Sequence, residues 1–252
     1  MKRKLLTDVE LRAQWSRDRS DRYYVEAGTI LTPSAMDFLK ENRIELCVRS
    51  ESGGVMARTP VPMRNGKPVF QDHATGMELT EKPEGMTHLR GNLLVPKTHP
   101  QIAFRGKLDT LIAQIMGVQI LAQGEGLEPL AEDLEALVLF CHSILGAEVK
   151  DEPLGPIRIL GMDSARIRHD SQQVKKVFGI DHPIPSYKMG KVFVALNRLR
   201  AQIRETELAA ANAFACGETA CSRPDIVEGL NRLSSCVYIL MCRKLSGYYD
   251  RG

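Results

Sequence analysis

Apolar residues recur at three- and four-residue spacing over four long stretches, about 100–123, 128–149, 187–215 and 223–247. No ordinary strand reaches such lengths, so each stretch is expected to be a helix. In the last of them Leu230, Leu233, Val237 and Leu240 form the stripe that should face a core. Shorter helical pieces are expected around Ser164–Phe178, set off by Gly155, Gly161 and Gly179. Upstream the pattern changes. Residues 51–91 hold neither a helical nor a strand period and are rich in Gly, Pro, Thr and charge, which reads as a long connector or flap. Within residues 1–50, Thr32 followed by Pro33 is an N-cap with proline at the first helical position, and Leu31, Ala35, Phe38 and Leu39 share one face. Short alternating runs on either side predict a strand–helix–strand unit too small to stand alone. The expected fold class is mainly α: a bundle of about five helices over residues 92–252, preceded by a small α/β segment (1–50) and the connector (51–91).

Composition narrows the function classes. The chain has 252 residues, 43% of them apolar, enough for one substantial core with room for a small appended unit. Its 34 basic and 31 acidic side chains nearly cancel and form no long single-sign block, so neither a nucleic-acid backbone nor an anionic membrane is expected as a partner. Asp8 and Glu10 interrupt the basic opening, and the apolar run Leu111–Leu121 is broken by Gln114, Gly117 and Gln119. No secretory signal or membrane span is therefore expected, and the reading is a soluble cytoplasmic protein. The six cysteines (Cys47, Cys141, Cys216, Cys221, Cys236, Cys242) lack zinc-ligand spacing and are expected as reduced structural thiols. Cys216 and Cys221 are the one pair close enough to suggest a metal or redox role.

Candidate chemistry lies within the helical stretches. Arg200, Arg204 and Glu207 recur at i, i+4 and i+7 and project from one helix face beside the apolar stripe Leu196, Leu199 and Ile203. Two guanidinium groups one turn apart repel unless an anion lies between them, and a polyphosphate or carboxylate would fill that role. The alternative is a solvated face on which Glu207 screens the arginines. Asp109 falls on or beside the apolar face of Leu108, Leu111, Ile112 and Ile115, where a carboxylate needs a partner such as an arginine from another helix. Lys97 precedes that helix and is either a mobile phosphate contact or an exposed surface lysine. The final helix opens at Ser222-Arg223-Pro224-Asp225, a cap followed by proline in the first turn. In that helix Asn231 and Ser235 sit one turn apart beside the core stripe, as a ligand contact or as plain helix surface.

In their order and spacing these pieces resemble the ethanolamine-utilisation cobalamin adenosyltransferases, and more distantly the propanediol-type adenosyltransferases. The resemblance runs from Thr32-Pro33-Ser34-Ala35 through Thr87-His88-Leu89, Lys97 and Asp109 to Leu199-Arg200 with Arg204-Glu205-Thr206-Glu207. It ends in Arg223-Pro224-Asp225 and Leu230-Asn231-Arg232-Leu233-Ser234-Ser235. It implies an enzyme that transfers the 5′-deoxyadenosyl group of ATP to the cobalt of a corrinoid, making adenosylcobalamin for ethanolamine ammonia-lyase. By similarity Arg200 and Arg204 bind ATP, Asp109 pairs with Arg200, Lys97 contacts the phosphates, Asn231 holds the nucleotide or its Mg²⁺-bound phosphates, and Glu207 orients the arginines. Ile184, in the turn Ile180-Asp181-His182-Pro183-Ile184-Pro185, is the implied corrin-covering residue.

Two departures accompany the resemblance. The Gly/Thr-rich phosphate loop of the propanediol-type enzymes is missing. Asp72-His73-Ala74-Thr75-Gly76-Met77 carries a histidine, but no cysteine occurs between Cys47 and Cys141, so the connector metal site of some relatives should be absent. The implied chemistry starts from cob(II)alamin, reduced to cob(I)alamin by a reductase, and needs no side-chain nucleophile because the corrinoid carries the reaction. Sites of the family are commonly built between subunits, so a homo-oligomer is expected, with association to a bacterial microcompartment as a further expectation. The competing reading is a non-catalytic helical protein that carries corrinoid or docks on a microcompartment shell.

Overall fold

The computed structural model describes residues 5–6, 8, 11–12, 22–26, 30–42, 44–49, 63–64, 67–217 and 220–250. They divide into two compact units, residues 1–95 and 96–252. In the first unit, strands Arg22–Glu26 and Glu45–Arg49 pair in parallel on either side of helix α1 (Pro33–Glu41), the expected strand–helix–strand arrangement. The Thr32 hydroxyl accepts the Ala35 N–H at 3.3 Å, which caps α1 as its sequence predicts. Ala35, Phe38 and Leu39 of α1 then bury with Leu6, Leu11, Tyr23 and Ile44 as a small separate core.

Residues 51–91 differ from the expected connector. Residues 51–62 lie outside the described residues, but from Phe70 onward four short strands form one sheet: Phe70–Asp72, Glu78–Leu79, Met86–Arg90 and Leu93–Pro96. Leu93 and Leu94 pair in parallel with Gln71 and Asp72, and Phe70 pairs antiparallel with Leu79. These strands hold two to five residues each, too few for an alternating pattern to stand out, and only Phe70, Leu89, Leu94 and Val95 are buried. Gly91, at φ 48°, takes the left-handed conformation in the turn between the last two strands.

The second unit is helical and bears out the mainly α expectation. Its elements are α2 (Pro100–Gly124), α3 (Glu128–Lys150), the short α4 (Ser164–Gln172) and α5 (Val174–Phe178), α6 (Lys191–Ala213) and α7 (Pro224–Leu245). Residues 187–189 form a separate 3₁₀ turn rather than the first turn of α6, because Gly190 at φ 87° breaks the helix there. Helix α6 packs against both α2 and α7, α2 against α3, and α4 against α7. Leu230, Leu233, Val237 and Leu240 of α7 are all fully buried, as their spacing requires. Each contributes about 2 kcal/mol by leaving water.

Three polar clamps fix the bundle. Glu148, 1% exposed, takes a two-pronged contact from Arg105, Nε to Oε2 at 2.6 Å and a terminal nitrogen to Oε1 at 3.1 Å. The expected serine cap of α7 is replaced. Arg223 is the capping residue without a side-chain cap, and Asp225 in the first turn accepts the Leu154 N–H at 2.8 Å while Arg223 grips Asp225 and the Glu152 carbonyl. At the far end of α7, Asp133 accepts from Arg243 at 2.8 Å and from the Tyr249 hydroxyl at 2.6 Å. No described helix is long and apolar enough to cross a membrane.

Candidate functional site: a cavity between helices α6 and α7

Because α6 presents one face to α7, residues at seven-residue intervals on the two helices meet. Arg200, Arg204 and Glu207 of α6, Asn231 and Tyr238 of α7 and Ser171 of α4 line a cavity of about 440 Å³. That volume falls within the range of small-molecule sites.

The acceptors are already spoken for. Glu207 Oε1 accepts from the Asn231 amide at 3.1 Å, and Asn231 Oδ1 accepts from Arg232 at 2.7 Å, so both ends of the amide are engaged and its orientation is set. Arg232 in turn donates from Nε to the Ser164 hydroxyl at 2.9 Å, and that hydroxyl donates to Glu228 at 2.7 Å. The donors are in excess. Neither Arg200 nor Arg204 forms an ion pair among the described residues, and the buried Nε of Arg200 has no hydrogen-bond partner there. Glu207 turns to Asn231 instead of screening the two guanidinium groups. A concave site with uncompensated positive charge and an orphaned buried N–H suits an anion with several acceptor oxygens.

Ser235, singled out with Asn231, also lines this cavity, whereas Lys97, Asp109 and Ile184 do not. Lys97 is exposed in the turn before α2 and is not part of the lining. Asp109 is exposed and forms no ion pair with Arg200 within the chain. One residue past the buried Leu108 the helix has turned about 100°, which carries Asp109 off the apolar face. Ile184 is 84% exposed and outside the cavity lining. Tyr238 and Ser171 in the lining, and Arg232 and Ser164 behind Asn231, are among the positions around the cavity that sequence reasoning left out. Tyr238 follows Asn231 by seven residues, so the helical period contained the signal; Ser171 and Ser164 carried none, since they come from a different helix.

The cysteines are settled by register. Strands Ala215–Cys216 and Ala220–Cys221 pair antiparallel with Cys216 opposite Ala220 and Cys221 opposite Ala215. Opposed residues share a face and neighbours along a strand alternate, so the two thiols point to opposite sides and cannot act as a pair. Burial pushes the Cys141 thiol up to about 12 and that of Cys242 up to about 11, which makes both unreactive packing residues. Around His73, the Asp72 carboxylate is consumed by its own turn, accepting from the N–H groups of Ala74 and Thr75 at 3.0 and 2.8 Å. Among the described residues no group of three or more His, Cys, Asp or Glu side chains is arranged to hold a metal ion.

The profile of the cobalamin adenosyltransferase family matches residues 78–244, spanning the sheet hairpin and every helix of the second unit. The corrinoid adenosyltransferase EutT of Salmonella typhimurium (strain LT2) is 30% identical over 246 residues, covering 94% of this chain and 90% of the relative. EutT of Escherichia coli (strain K12) matches to the same extent, 30% over 246 residues. No solved structure matches the chain.

Proposed function

The chain belongs to the cobalamin adenosyltransferase family, and we propose that it moves the 5′-deoxyadenosyl group of ATP onto the cobalt of a corrinoid, with the α6–α7 cavity receiving the nucleotide. The observation that carries the placement is the pair Arg200 and Arg204, without an ion pair among the described residues and lining a cavity of about 440 Å³ with the fixed amide of Asn231.

Cob(I)alamin attacks C5′ of ATP. The Co–C bond forms as the C5′–O bond breaks, cobalt passes formally from Co(I) to Co(III), and the electron pair leaves with the polyphosphate. Charge therefore builds on the leaving oxygens. Preorganised cationic donors near that position lower the barrier because they need not reorganise during the reaction. Arg200 and Arg204 supply those donors, Asn231 orients the nucleotide, and Glu207 acts by holding Asn231. Mg²⁺ enters on the phosphates; Glu207 is the lone carboxylate in the cavity lining, too few for a protein-built Mg²⁺ site. Lys97 contacts the phosphate tail as a flexible point charge, and Ile184 covers the corrin.

Asp109 and Arg200 do not meet within one chain, so their pairing is assigned to a contact between copies of the chain in a homo-oligomer. A cellular reductase supplies the electron that converts cob(II)alamin to cob(I)alamin. The EutT name of its relatives supports a role in ethanolamine utilisation, and the proposal extends to a cytoplasmic location in association with a microcompartment.

Mixing the protein with ATP, Mg²⁺ and chemically generated cob(I)alamin should give adenosylcobalamin, followed by the loss of the Co(I) absorbance. Product formation no faster than in the protein-free control overturns the assignment and leaves a corrinoid-binding protein without catalysis.

A further inference from the structure

Tyr238 belongs both to the arginine cavity and to the segment that precedes α6. Its hydroxyl lies 2.8 Å from Nδ1 of His182, and the two rings stack with centroids 6.2 Å apart at an interplanar angle of 15°. Phe178 and Met189, at the ends of residues 179–190, pack partly buried against the main core. Between those anchors the His182–Tyr238 bond is the one hydrogen bond among the described residues that ties this segment to a distant part of the chain. Lys175–Asp181 and Ser186–Lys188 are local and exposed. The same segment holds out Ile184 and Tyr187, 84% and 82% exposed, two large apolar side chains in water. Burial pushes the Tyr238 phenol above its usual range, so it keeps its proton and its hydrogen-bonding role.

We propose that Tyr238 and His182 are positioning residues for the corrinoid: their contact holds residues 179–190 beside the nucleotide cavity, so that Ile184 and Tyr187 are presented to the macrocycle while Arg200 and Arg204 hold ATP. This rests on the adenosyltransferase reading and goes beyond it by naming the pair that joins the two substrate regions. The corrinoid is the occupant because the segment is continuous, through Tyr238, with the wall of the cavity assigned to ATP. An apolar surface at that place meets the second substrate of the reaction.

The test uses the full chain with MgATP and cob(I)alamin. His182→Ala, at a residue outside the cavity lining, should raise KM for the corrinoid about five- to tenfold, the worth of one ordinary hydrogen bond, and leave KM for ATP unchanged, and Tyr238→Phe, which keeps the ring, should raise the corrinoid KM by the same factor. Since both partners belong to one interaction, the double variant should be no worse than either single one. His182→Asn, whose amide sits where Nδ1 does and can still bond the hydroxyl, should recover most of the loss. Thermal unfolding midpoints within a degree of the parent would show that the variants fold. An unchanged corrinoid KM in both single variants, equal rises in both KM values of His182→Ala, or additive losses in the double variant would each overturn the proposal. Absence of transfer by the parent protein would instead sink the adenosyltransferase reading, so the two failures are distinguishable.

Discussion

Arg200→Met separates a ligand-binding arginine from a structural one. In the free protein the Nε of Arg200 is buried without a hydrogen-bond partner among the described residues. Such a group costs about 1–3 kcal/mol. Methionine keeps an unbranched apolar stem and removes the orphan, so the ligand-free protein should gain about 1 kcal/mol, or roughly 2–4 °C in Tm for a chain of this length. Binding should move the other way. At an ATP concentration of 100 Kd the parent gains about 2.7 kcal/mol from ligand, and a hundredfold loss of affinity cuts that to about 0.4 kcal/mol. Differential scanning fluorimetry with and without MgATP reads both quantities in one experiment. A Tm lowered by several degrees without ATP, or an ATP shift equal to that of the parent, would refute the reasoning, because Arg200 would then be a packing residue.

Arg204 is exposed, so Arg204→Ala should leave Tm within a degree while turnover falls about 10²- to 10³-fold, as when one donor to a developing anion is lost; parent-like rates would remove it from the site. Glu148→Gln removes the charge of a carboxylate only 1% exposed that takes the two-pronged contact from Arg105, and urea titration should show a loss of about 3 kcal/mol. Gly229→Ala would set a methyl 2.9 Å from Cδ2 of Leu154 and 3.3 Å from Cζ of Phe140, so overpacking should cost about 1–3 kcal/mol, measured the same way. Burial disfavours the charge on Asp225, but hydrogen bonds from Arg223 and the Leu154 N–H outweigh it and hold the carboxyl below its usual range. A depressed folded-state value means that its contribution is present above the unfolded value of about 3.9 and is lost as pH falls through the lower one. Stability measured from pH 6 to pH 2 should therefore fall more steeply below pH 4 in the parent than in Asp225→Asn; identical acid limbs would show that the clamp does not depend on charge.

How much of this was legible in advance follows from the range over which each signal acts. The long helices were, since an apolar period sustained over more than twenty residues leaves no other regular structure, and Gly190 alone moved a boundary. The four strands between Phe70 and Pro96 were not, because two to five residues cannot display a period and their stability comes from pairing with one another. The candidate site divides along the same line. Arg200, Arg204 and Glu207 share a face by helical geometry alone, so the sequence by itself determined that they project together. Only the tertiary structure decided that this face meets Asn231 and Tyr238, that Glu207 turns to Asn231 and leaves both arginines unscreened, and that Asp109 points to solvent. Backbone periodicity is a property of neighbouring residues. Which face meets which, and which charges find a partner, depends on how helices far apart in the chain exclude water between them.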